Sequence, residues 1–263
     1  MIMSCNPPRL GDPARVLEIT LGCPPGEIAE NVILTPFMHL KSFSRHVEEA
    51  SIVPLSPPFF FQGFTAVFKG MRVTVIRTGV GPSRVGDCIS FLSLSGARNL
   101  LFAGAVGSLR SGWALGDFFL PLTAADGEGY TRYLGRDFGE LVDEAAEIPC
   151  SGGLEGALRE TLRERGIAPR EGRVFTIGSI AAEAPENLRL LRERGFDALE
   201  MELSAFFSAA RHHSLPGAAL TYISDLPLES SLWEKKSPEE ERALREAYGL
   251  LPELALGFFA ELK

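Results

Sequence analysis

Positive charge is scarce in this sequence. Lys and Arg total 26 against 34 Asp and Glu, a formal net charge of −8. Nucleic-acid binding relies on clustered Lys and Arg that neutralise phosphates, so this deficit excludes a general nucleic-acid binder. It leaves room for a small nucleoside or nucleotide ligand. Cysteine is also sparse. Cys5, Cys23, Cys88 and Cys150 form no C-x-x-C pair, and no His stands at metal-ligand spacing from them. That usage points to reduced structural thiols of a cytosolic protein, with no metal and no cofactor expected. The four histidines, His39, His46, His212 and His213, form no cluster. No uninterrupted apolar run reaches the roughly 18 residues of a membrane span. The start MIMSCNPPRLGDPARV lacks the apolar centre of a signal peptide. A cytoplasmic protein with no membrane partner is the expectation.

What the chain does have is alternation. Its 263 residues are 45% apolar and 23% charged, ordinary globular usage and enough for one large core. The Pro- and Gly-rich residues 1–26 read as an extension, and 27–263 as one domain. Continuous apolar runs at 31–36, 99–103, 117–120, 173–177 and 218–223 read as buried strands. A hairpin is expected over 63–68 and 72–77, turning at Lys69-Gly70. Helical stretches separate the strands, around 83–94, 154–165, 185–194, 201–212 and 237–262. Such a pattern implies an α/β fold, a mixed, mostly parallel central sheet flanked by helices on both faces. Ligands of such sheets sit at the carboxyl ends of the strands, so the residues just past each strand matter most.

Four short motifs lie at those places. The turn 78–83 (TGVGPS) lets backbone approach a ligand and aims helix N–H groups at it, although taken alone it is better explained as a tight turn with Pro in the first helical turn. The run 104–109 (GAVGSL) offers small residues, Val106 and Gly107 among them, beside a buried strand. In 198–202 (ALEME), Glu200 and Glu202 flank Met201 at the start of an apolar helix. A carboxylate there can accept hydrogen bonds from the vicinal hydroxyls of a ribose, with the Met against the sugar. The plain alternative is acidic residues favoured by the helix dipole. Finally, 222–225 (YISD) places Ser224 and Asp225 at a strand end. Asp225 is there either a proton donor or a turn residue. Of the histidines, only His39 occupies a strand-end loop; His212 and His213 sit at a helix C-terminus.

Taken in order, these pieces resemble the nucleoside phosphorylase superfamily, which includes purine nucleoside phosphorylases, uridine phosphorylases and methylthioadenosine/S-adenosylhomocysteine nucleosidases. The shared series runs VILTP, TGVGPS, LLFAGAVGSL, the LGD at 115–117, TIGSIAAEAPENLRLLRERG, ALEMELSAFF and YISD. It spans the chain from about Glu27 onward. The most specific part is EME followed about two dozen residues later by SD. The resemblance implies an enzyme that cleaves the N-glycosidic bond of a nucleoside. It assigns Met201, Glu202 and the preceding Glu200 to the ribose, and Asp225 to N7 of a purine. Val106, Gly107, Ile180 and Ser224 fall on the base pocket. Uridine-specific relatives lack the Asp, and carry Gln and Arg where this chain reads Ile180-Ala181-Ala182-Glu183.

The departures concern the acceptor. Phosphate-collecting positions of the family fall on Phe37, Lys41, Phe102, Ala105 and Phe59. One cation survives, a Lys, which cannot grip phosphate bidentately. The early GDPAR at 11–15 precedes the strand that a phosphate loop should follow. The hydrolases' water-activating Glu is also missing, since 37–40 reads FMHL; His39 is the remaining candidate to orient water. Two readings stand: a purine-nucleoside-cleaving enzyme whose acceptor is water or phosphate, and a non-catalytic or specialised nucleoside-binding member of the same fold. The resemblance further implies a homo-oligomer, a dimer or a trimer of dimers, with part of the apolar run Pro57-Pro58-Phe59-Phe60-Phe61 at a subunit interface.

Overall fold

A computed structural model describes residues 11–55, 60–134, 136–150 and 152–262. The core of the fold is the set of parallel strands β1 (Asn31–Thr35), β4 (Met71–Arg77), β5 (Asn99–Ser108) and β10 (Gly217–Asp225), in the order β4-β1-β5-β10. Their sequences are apolar throughout because both faces are covered. In β1, Val32 and Leu34 enter one hydrophobic cluster and Ile33 the other. In β5, Leu100 and Phe102 face the first, Leu101 and Ala103 the second. Helices α1 (Pro13–Thr20), α3 (Pro82–Leu92) and α7 (Leu203–His212) close the first face. Helices α2 (Leu40–Ser44), α5 (Leu154–Glu164) and α8 (Pro238–Glu261) close the second.

The expected hairpin is present as β3 (Gln62–Phe68) and β4, with Lys69 and Gly70 both at positive φ in the turn. A short β2 (Val53–Leu55) edges it. Beyond β10 the sheet curls. β6 (Phe118–Gly127) pairs antiparallel with β10; β8 (Arg170–Ile177) pairs with β6, β9 (Ala198–Glu200) with β8, and β9 returns antiparallel to β5. The strands β5-β10-β6-β8-β9 thus close a ring, and β7 (Glu147–Pro149) pairs on its side with β6. A third apolar cluster packs α4 (Phe138–Glu144) and α6 (Pro185–Glu193) against this curled part.

The α/β fold expected from sequence is present, and its sheet is thoroughly mixed. Five strand pairings are parallel and five antiparallel, so the parallel character is confined to the flat half and β8's neighbours. Two stretches differ locally from the reading of the sequence. β6 runs on through Gly127, because Ala124 and Ala125 are buried where the ring curls. Residues 198–200 are a strand rather than the entry to a helix; α7 begins only at Leu203. Among the described residues no helix is long and apolar enough to cross a membrane.

The stretch before β1 is not loosely attached. Asp12 caps α1 by accepting from Ala14 N, and Leu17 and Leu21 are fully buried in the first cluster with Val85, Cys88 and Ile89. Truncating Leu17 therefore opens a core cavity. We expect Leu17→Ala to lower the unfolding free energy by about 2–5 kcal/mol in urea titration. A loss below about 0.5 kcal/mol, the size of a surface change, would show that α1 does not belong to the core.

Candidate active site

A cavity of about 400 Å³ opens at the carboxyl ends of β5, β8 and β10, the end where ligands of such sheets bind. Its walls are largely apolar, with Val106, Leu199 and Tyr222 inside and Phe37, Val80, Ile180 and Leu232 exposed at the rim. Four acids stand on it, Glu183, Glu200, Glu202 and Asp225, with Ser224 and Tyr222 as further polar side chains. Among the described residues, no Arg, Lys or His lines it.

Asp225 owes its position to a β-bulge. Along β10 the register with β5 runs Tyr222↔Ala105, Ile223↔Val106, then Asp225↔Gly107, so Ser224 is the extra residue. A bulge bends the strand and re-aims the next side chain. Ser224 Oγ donates to Asp225 Oδ1 at 2.7 Å. Gly107 is where three strands meet, opposite both Asp225 on β10 and Leu199 on β9. A Cβ there would lie 3.0 Å from Asp225 Oδ2 and 3.2 Å from a Leu199 methyl, so only glycine leaves the carboxylate in place. Asp225 is 8% exposed. Burial raises its pKa above the ordinary Asp value, opposed by the Ser224 hydrogen bond and the charge of Lys236.

Glu200 and Glu202 divide the two roles that the sequence left open for them. Glu200 Oε1 accepts from Thr176 Oγ1 at 2.5 Å, and Oε2 accepts from Glu202 N at 2.6 Å and Leu203 N at 2.7 Å. Thr176 Oγ1 in turn accepts from Ser204 N at 2.9 Å. Glu200 therefore satisfies first-turn amides of α7 and faces its positive dipole end. Both its oxygens are engaged by the protein, which corrects its assignment to the ribose: it holds the turn that presents Met201 and Glu202. Glu202, 5% exposed, is gripped at one oxygen only, by Gly81 N at 2.6 Å. That donor comes from the 78–83 turn, where Gly79 and Gly81 take positive φ. The second oxygen, Oε2, has no protein partner among the described residues and belongs to a carboxylate on the cavity wall. Burial raises the pKa of both glutamates, and the charge of Glu202 adds to the rise at Glu200.

Most of the residues singled out in the sequence converge here. Phe37, Ala105, Val106, Gly107, Ile180, Met201 and Ser224 line the cavity with the three acids. Others do not. His39 is exposed at the N-cap of α2, its backbone N–H donating to Tyr248 Oη, and it lies outside the cavity lining, which corrects its proposed role in orienting water. Lys41 is exposed on α2 and likewise outside. Phe102 is 1% exposed, with its ring packed on Phe206 at 5.7 Å between centroids, so it belongs to the core and to no anion site. Phe59, with Pro57 and Pro58, lies outside the described residues. In the same run, Phe61 is core, stacked under the Arg84 guanidinium, and Phe60 is 41% exposed.

Sequence reasoning gave no role to Glu183, which follows the single 3₁₀ turn Ile180–Ala182 after β8. The signal available was its place just past a strand's carboxyl end. Burial, then repulsion from Asp225, lifts its pKa from the ordinary 4.5 to about 7.

Comparison with known proteins places this geometry. The sequence profile described as the phosphorylase superfamily matches residues 35–254. A DeoD-type purine nucleoside phosphorylase of Caldanaerobacter subterraneus subsp. tengcongensis is 26% identical over 214 residues, covering 80% of this chain and 88% of that one. The uridine phosphorylase of Vibrio fischeri superposes with a TM-score of 0.74 at 18% identity, over 90% of this chain and 93% of the other. The 5′-methylthioadenosine/S-adenosyl homocysteine nucleosidase of Campylobacter jejuni gives 0.73 at 16%, over 89% and 100%.

The acids have a consequence for the empty protein. A carboxyl whose pKa is raised on folding binds more protons folded than unfolded, so its contribution to stability is fully present below pH 4.5 and is lost as the pH rises through about 7. Glu183→Gln removes that loss. We expect the variant's melting temperature to exceed the wild type's at about pH 8 and to match it at about pH 5. An equal offset at both pH values would show that Glu183 ionises as a solvated surface group.

Proposed function

The chain belongs to the phosphorylase superfamily, and from that premise we propose that it cleaves the N-glycosidic bond of a purine nucleoside with water as the acceptor. The observation behind the reading is a cavity with a half-free carboxylate, Glu202, on one wall, a buried Asp225 at the bulge, and no cation. Glu202 Oε2 accepts hydrogen bonds from the ribose hydroxyls, with Met201 against the sugar. As the bond from C1′ to the base nitrogen breaks, positive charge grows on the sugar and negative charge on the base. Glu202 stabilises the first by charge. Asp225, whose pKa burial raises above the ordinary Asp value, gives a proton to N7 of the departing purine. The electron pair of the broken bond stays on the base, water adds at C1′ and loses one proton to solvent, and Asp225 takes up a proton from solvent for the next turnover.

Water is preferred to phosphate on electrostatic grounds. A phosphate dianion entering this cavity meets four acidic side chains and, among the described residues, no cation on the lining, and repulsion from any ionised carboxylate in a partly buried site is several times its value in water. Two cations of neighbouring segments are bonded to backbone carbonyls: Arg84 donates to Thr78 O at 2.8 Å and Phe60 O at 2.6 Å, and Lys236 Nζ to Ser230 O at 2.9 Å and Ser231 O at 2.7 Å. The exposed rim of Phe37, Val80, Ile180 and Leu232, together with the exposed Phe60, supports a homo-oligomer whose second copy covers the mouth.

Release of free base from adenosine, inosine and guanosine, with and without phosphate, tests the reading. We expect release that does not depend on phosphate, and Lys41→Ala to leave it unchanged. Asp225→Asn keeps shape and hydrogen bonding but cannot deliver a proton. It should lower kcat about a hundredfold or more while nucleoside Kd moves less than about threefold. Folded protein that frees no base, or an Asp225→Asn variant within about threefold of wild-type kcat, would contradict the proposal.

A further inference from the structure

The four acids of the cavity are not equally answered. Glu200 takes three donors from the protein, Glu202 takes the Gly81 amide and Asp225 the Ser224 hydroxyl. Glu183 takes none: among the described residues its carboxylate has no hydrogen bond and no ion pair, although it lines the cavity. The charged group that acts on it is Asp225, of the same sign. No lining residue offers a positive charge, and Lys236 is held by Ser230 and Ser231. A neutral purine leaves this arrangement as it found it, with one carboxyl either desolvated and charged beside Asp225 or protonated to avoid it.

We propose that Glu183 is a specificity-determining residue, selecting nucleosides whose base carries a fixed positive charge, such as an N-ribosylpyridinium or an N-alkylated purine. This rests on the nucleoside-cleaving reading and specifies the charge of the base that the site takes. The apolar walls, Val106, Leu199 and Tyr222, accept the faces of a planar ring. The carboxylate at the cavity's edge accepts its charge, and attraction between opposite charges in a partly buried site greatly exceeds that in water. Glu183's raised pKa is consistent with this, since an arriving cation restores the ionised form.

The chemistry balances without a proton donor. When the bond between C1′ and the cationic ring nitrogen breaks, its electron pair returns to that nitrogen and cancels the positive charge. The base leaves neutral. Water supplies the hydroxyl at C1′ and releases one proton to solvent. Glu202 serves the sugar as before.

The test compares kcat/KM for 1-(β-D-ribosyl)nicotinamide, which is cationic, with that for inosine, which is neutral and has the same sugar. Glu183→Gln keeps shape and removes charge. The cation-to-neutral ratio should fall about tenfold to a hundredfold in this variant. Glu183→Asp keeps the charge, and its ratio should stay within about threefold of wild type. A ratio unchanged in Glu183→Gln overturns the proposal, whether both activities persist or both fall together, as a purely structural role would make them do. In that case inosine cleavage by the wild type still upholds the broader reading. Wild-type protein that releases base from neither nucleoside overturns both.

Discussion

Taking carboxylates out of water is the costly act on which this site depends. An isolated buried carboxylate is strongly disfavoured unless donors or opposite charge compensate it. This fold compensates with donors, and unevenly. Three reach Glu200, one reaches Glu202 and one reaches Asp225, and they come from four elements: β8, the start of α7 (twice), the turn before α3, and the bulge in β10. All three line the cavity, and Glu202 and Asp225 are only partly compensated. Their burial raises their pKa values and weakens the empty protein as the pH rises. Instability of this kind is what a ligand that supplies hydroxyl donors or positive charge relieves, and active sites commonly retain it at the expense of stability.

The closed ring of strands is what brings those elements together. β5 alone contacts β1, β9 and β10, so its Gly107 has Leu199 on one side and Asp225 on the other. An open, flat sheet would leave β9 and β10 on different edges and the EME and SD segments apart. The bulge at Ser224 then sets which residue faces Gly107, and the absence of a Cβ there leaves room for the acid. Glu200, engaged by the protein on both oxygens, fixes where α7 starts and hence where Glu202 stands.

Much of this was legible in the sequence, for identifiable reasons. Strands buried on both faces write themselves as unbroken apolar runs, so β1, β5 and β10 were readable. The hairpin announced itself through Lys69-Gly70. The EME and SD segments stood at strand ends, where ligands bind. What stayed hidden depends on long-range pairing. A three-residue strand such as β9 carries no periodicity, so it read as the beginning of a helix. Nothing local distinguishes Glu200 from Glu202; the difference lies in Thr176, 24 residues earlier, and Gly81, 121 residues earlier. Phe102 aligned with an anion position yet points into the core, because alternation on β5 puts it on the face covered by α3 and α7. His39 was attractive as a lone histidine past a strand, but α2 begins immediately after it and its backbone is held toward α8 by Tyr248. Glu183 was named only as part of the 180–183 loop and given no role, because a single glutamate in a loop has no pattern.

The proposed acceptor, water, is where this reading departs most from the phosphorolysis in its relatives' names. An acidic cavity stabilises a cationic sugar and repels a phosphate, so the two preferences come from the same four residues. The sharpest measurement follows the new bond at C1′. A purine nucleoside is turned over in ¹⁸O-labelled water containing phosphate, and the sugar product is analysed by mass spectrometry. Free ribose carrying one ¹⁸O at C1 is the result this account predicts; ribose 1-phosphate without the label would contradict it.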